Sequence, residues 1–74
     1  MKKYIQFFQK SAISEELIVG CGDRSIIRLD GREAIRNVET FAKEECIKRG
    51  YLAYQFVSGE SLLSTNPISK IVRV

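Results

Sequence analysis

One stretch of this chain, residues 30–50, carries a helical period, and everything on either side of it alternates in short runs. Asp30 stands where a helix N-cap would, Glu33 follows three residues later as in a capping box, and Gly50 sits just past the last periodic residue. At about 100° per residue, Ala34, Ile35, Val38, Phe41 and Ala42 fall within about 60° of Val38 and make one apolar stripe. Arg32, Glu33, Arg36, Glu39, Thr40, Lys43 and Glu44 lie opposite. A helix with a single apolar stripe has to lay it on something, and the flanking runs can supply only a sheet. The expected class is therefore α+β, with one helix packed on a mostly antiparallel sheet.

Residues 3–8 alternate with Ile5 and Phe7 on one face and Tyr4, Gln6 and Phe8 on the other, and predict a first strand. A connection over 9–14 leads to a second strand at 16–19. The cluster Gly20-Cys-Gly-Asp23 then reads as a turn, and residues 24–29 return as a third strand in a hairpin with the second. Beyond the helix, 51–57 is a strand with Tyr51 and Tyr54 on opposite faces, and 58–61 is a turn. Residues 62–67 form an irregular link, where Pro67 argues against a central strand, and 68–74 is a closing strand. The predicted order is β-β-β-α-β-β, in a single domain over 1–74. A chain of 74 residues buries only roughly 60–65% of its unfolded surface, so its core is small.

Histidine is absent, which removes the commonest general base and metal ligand, and two cysteines alone do not assemble a zinc site. No motif brings an acid, base or nucleophile together, because Glu15 and Glu16 are adjacent and point to opposite strand faces. Neither an enzyme nor a cofactor site nor a metal site is expected. The first ten residues lack the apolar run of about 7–15 that a signal peptide needs, and no stretch approaches the roughly 18 of a membrane span. These readings predict a cytoplasmic protein with Cys21 and Cys46 unpaired.

Three motifs suggest nucleic acid or nucleotide binding. Lys48-Arg-Gly-Tyr-Leu-Ala-Tyr-Gln-Phe-Val57 approaches an RNA-recognition signature, but its first two aromatics are three apart rather than two, and do not share a strand face. Gly20-x-Gly22 lacks the third glycine of a dinucleotide fingerprint and precedes a strand, not a helix. Arg24, Arg28, Arg32 and Arg36 recur every four residues, two on the predicted strand and two on the helix, and could converge at one corner as a nucleic-acid contact. The net charge of +3 is mild, and Asp23, Asp30 and Glu33 dilute that corner.

With 45% hydrophobic residues, the chain has more apolar positions than one helix on one sheet face obviously hides. Some of Tyr4, Phe8, Ile18, Ile26, Tyr51, Val57, Val72 and Val74 must lie on the face away from the helix. There they either meet a partner or are buried by curling of the sheet. On the helix, Ile47 falls about 180° from Val38, while Glu45 and Arg49 project onto the stripe and are expected to pair with each other in water where the helix overhangs the sheet. The closing strand would be an edge open to strand addition. Tyr51, Ile47, Val72 and Val74 are accordingly the candidate protein-contact residues. The partner is another protein or a second copy of the chain, and nucleic acid is the alternative.

From Leu29 onward, the succession Leu-Asp-Gly-Arg, an amphipathic helix, then Gly-Tyr-Leu-Ala-Tyr-Gln-Phe-Val-Ser-Gly-Glu resembles short uncharacterised proteins carried by bacterial temperate phages and plasmids. The resemblance covers about half the chain. Its size and strands–helix–strands plan are also similar to those of small phage anti-CRISPR proteins, which block host defence complexes by protein contact. The resemblance implies a non-catalytic accessory protein and carries over no functional residue.

Overall fold

Two nine-residue strands, β1 (Lys2–Lys10) and β4 (Ala53–Ser61), run antiparallel through the centre of the sheet, registered from Lys2 opposite Gly59 to Phe8 opposite Ala53. The computed structural model describes residues 2–29 and 38–74. β1 is apolar on both parities, as a strand covered on both faces must be. Ile5 and Phe7 meet Phe56 and Tyr54 on one face; Tyr4 and Phe8 meet Val57 and Ala53 on the other. The helix α1 (Val38–Arg49) covers the first face. There Ala42 and Cys46 are fully buried with Ile5 and Phe7, and Ile27, Leu29 and Tyr54 complete the cluster.

Helix α1 ends as the glycine predicts. Gly50 takes φ +83°, its N–H donates to Ile47 O (3.0 Å), and Tyr51 N–H donates to Cys46 O (2.9 Å). This pair of bonds is the Schellman arrangement, which satisfies two of the helix's orphan carbonyls. The expected cap at Asp30 and Glu33, with Ala34 and Ile35 of the apolar stripe, lies outside the described residues. Glu45 and Arg49 do pair, Nε to Oε1 at 3.3 Å, but not in water: both side chains are about three-quarters covered.

The class is α+β and the sheet antiparallel, but its edges differ from expectation. β2 (Leu17–Val19) and β3 (Ile26–Arg28) do not form a hairpin with each other; both lie antiparallel to β1. Phe8 and Gln6, two apart on β1, pair with Val19 and Ile26, seven apart, so Gly20–Ser25 leaves the sheet as an excursion. Within it, Asp23–Ser25 forms a turn of 3-10 helix, which takes in Arg24 and Ser25 where the third strand was expected to begin. A Gly-rich cluster reads locally as a hairpin turn, but the unpaired side of β1 is the stronger template.

The other edge repeats the plan. β4 continues through Ser58–Ser61, where a turn was expected, and the turn falls at Leu62-Leu63. β5 (Ser64–Pro67) returns along β4, with an irregularity between Gly59 and Ser61, in place of the expected link. Of the expected strand 68–74, only β6 (Val72–Arg73) is strand, also paired to β4. The order therefore gains one strand after the helix. Val57 and Tyr54, three apart, pair with Pro67 and Val72, five apart, so this edge bulges at 68–71. Ile68 N–H donates to Phe56 O (2.9 Å), and ladder alternation then turns the Pro67 nitrogen outward, where a missing donor costs no bond.

Candidate concave binding face

The excursion at Gly20–Ser25 is held by side chains of β1, of α1 and of the connection between α1 and β4. Gln6 Nε2 on β1 donates to Ser25 O (2.9 Å) and Phe7 O (3.2 Å). Arg49 at the end of α1 donates from Nη1 to Arg24 O (2.9 Å) while its guanidinium lies 5.7 Å from the centroid of the Phe7 ring. Tyr51 stacks on the same Phe7 (5.6 Å, 7° between planes), and its hydroxyl sits 3.5 Å from Cys21 O. Inside the excursion, Ser25 donates to Gly22 O from both N (3.2 Å) and Oγ (2.7 Å), with Gly22 at φ +81°. Gly20 lies so close that a Cβ there would meet Tyr51 Cε1 at 2.7 Å and Ser25 Cβ at 2.8 Å. Arg49 and Glu45, which break the apolar stripe in sequence, thus tie the helix end to this excursion.

The excursion forms one wall of a groove of about 760 Å³ on the face away from the helix. Lys2, Tyr4 and Gln6 of β1 lie along it, Val19, Ile26 and Arg28 continue the excursion side, and Ser61, Leu62 and Leu63 of the β4–β5 turn line it as well. The sheet is curled, and Tyr4, Phe8 and Val57 are buried on the face away from α1. Of the two outcomes open for that face, burial within the chain is the one these three meet. Val19 stays exposed and Ile26 half-buried, while Leu62 is 56% and Leu63 99% exposed. Among the described residues, no buried side-chain polar atom lacks a partner.

Among the described residues, those singled out by sequence are spread over separate parts of the surface. Tyr51 is half-buried against Phe7, on the same face as Tyr54 rather than the opposite one, because β4 begins only at Ala53 and the strand period does not reach back to residue 51. Ile47 is exposed on the outer side of α1. Val72 and Val74 are partly exposed at the far edge, where Val74 N–H donates to Leu52 O (3.0 Å). Arg24 is exposed on the excursion and Arg28 lines the groove; Arg32 and Arg36 lie outside the described residues. The groove's leucines went unnoticed in the sequence, although a turn made of Leu-Leu, with no Gly, Asn or Asp, is itself unusual.

Both cysteines are free, Cys46 in the core and Cys21 exposed. Burial pushes the Cys46 thiol above its ordinary value. The Tyr54 phenol is also raised, first by burial and then by the negative charges of Glu39 and Cys46. Among the described residues, no group of three or more Cys, Asp or Glu is placed to hold a metal ion, and no helix is long and apolar enough to cross a membrane. No family model matches the chain, and no curated protein or solved structure is significantly similar to it.

Proposed function

We propose that this chain is a non-catalytic accessory protein of the kind carried by phages and other mobile elements, acting in the cytoplasm by binding another protein through its concave face. The observation that supports this most is the Leu62-Leu63 turn. It places a leucine that is 99% exposed on the lining of an apolar groove. Covering a side chain of this type stabilises by roughly 1.5–3 kcal/mol, which is left unused in the isolated chain. Strand addition at the closing edge is a poorer route, since that edge is split into the short strands Ser64–Pro67 and Val72–Arg73 and Pro67 removes a donor.

A photo-crosslinking amino acid in place of Leu63, compared with one in place of Ile47, tests the proposal in lysate of the cells that carry the gene. A discrete, protease-sensitive adduct from position 63 is expected. A nuclease-sensitive adduct would favour the nucleic-acid alternative, and none from position 63 would contradict a concave contact face.

A further inference from the structure

Resting on that reading of the concave face, we infer that Arg49 is a positioning residue for it. From the helix side of the sheet it sets the wall that a partner meets, so occupancy of the groove and order at the end of α1 are linked. The wall has two sides. Gly20, Gly22, Asp23 and Ser25 line the groove. Cys21 and Arg24, interleaved with them, give their carbonyls to the helix side. Arg49 Nη1 donates to Arg24 O at 2.9 Å, and the Tyr51 hydroxyl sits 3.5 Å from Cys21 O.

Strand alternation makes this double contact possible. Gln6 of β1 lies on the groove face, and Phe7 beside it lies in the core under the helix. Having left the ladder, the excursion is reached from both faces, by Gln6 at Ser25 O and by Arg49 at Arg24 O. Arg49 is itself fixed, with Nε on Glu45 Oε1 at 3.3 Å and its guanidinium 5.7 Å from the centroid of the Phe7 ring. A segment fastened by side chains keeps its place only as well as they hold it. A wall that is out of place for part of the time lowers the apparent affinity by that fraction. The linkage is reciprocal: a partner that presses the wall home steadies Arg49, and with it the Gly50 and Tyr51 amides that close the helix.

The probe is a peptide selected from a random library against the intact chain and kept because Leu63→Asp abolishes its binding. Its affinity should fall about fivefold with Arg49→Met and stay unchanged with Ser69→Ala, which loosens the far edge at similar cost in stability. In the wild type, the bound peptide should slow hydrogen exchange roughly threefold at Gly50 and Tyr51 as well as over 20–25, and leave Ile68 and Val74 as they were. The slowing at Gly50 and Tyr51 should vanish in Arg49→Met. Full affinity for Arg49→Met, equal losses with both substitutions, or slowing confined to 20–25 would overturn the positioning role and leave the concave contact face standing. A selection in which no peptide depends on Leu63 would overturn both.

Discussion

The two edges of this sheet are interrupted in the same way and held in opposite ways. Each long central strand templates two short strands separated by a stretch of chain that leaves the ladder. At the β2/β3 edge the departing segment is built into the molecule, its carbonyls held by Gln6 and Arg49 and its glycine pressed against Tyr51. At the β5/β6 edge the break is small and lies at the surface. It is secured by Ser69, whose Oγ accepts from Phe56 N (3.0 Å) and whose carbonyl accepts from Gln55 Nε2 (2.9 Å). The first interruption makes a wall, and a groove needs walls. The second only blunts an edge that would otherwise invite another strand.

The largest effect should come from Phe7→Ala, because the Phe7 ring lies under both Tyr51 and Arg49 and is fully buried. A loss of about 3–5 kcal/mol is expected in urea unfolding, against a total near 4–11 kcal/mol for a chain of this length. The glycines then separate the edges. Gly59→Ala drives a Cβ into Ser64 O, which is backbone, so β4 and β5 must part. Gly20→Ala meets side chains of the wall and should cost less, about 1–3 kcal/mol by thermal unfolding, while raising hydrogen exchange over 20–25. Equal costs for the two would show that the wall is as unyielding as the ladder.

Arg49→Met should remove about 1 kcal/mol and speed exchange in Gly20–Ser25 without changing residues 68–71; Ser69→Ala should do the reverse at similar cost. The smallest effect is on pH dependence. Cys46 and Tyr54 titrate above their ordinary 9.0 and 10.0 in the folded state, which therefore keeps protons that the unfolded chain releases. Their contribution is fully present below about pH 9 and fades as pH rises beyond it. Cys46→Ala should make the alkaline fall in unfolding free energy shallower.

The centre of the molecule was legible in the sequence because its signals are local. The two-faced apolar run of β1, the alternation at 53–57 and the stop at Gly50 need no knowledge of what lies next to them. The edges were not legible, since their structure is decided by partners distant in sequence. Gly20-Cys-Gly-Asp23 carries the composition of a hairpin turn, yet β1 offers ladder positions to both flanking segments and the glycines serve an excursion instead. Pro67 was read against a central strand and in fact sits on an edge one. The groove assembles residues from 2 to 63, and no short spacing announces it.

The central claim, that the walled concave face rather than the blunted edge or the outer helix face is the contact surface, is tested most directly by mapping amide NMR shifts while a library-selected peptide is titrated in. Shifts are predicted at Lys2, Tyr4, Val19 through Ile26 and Leu62-Leu63. Shifts confined to Ile47, or to Val72 through Val74, would contradict it.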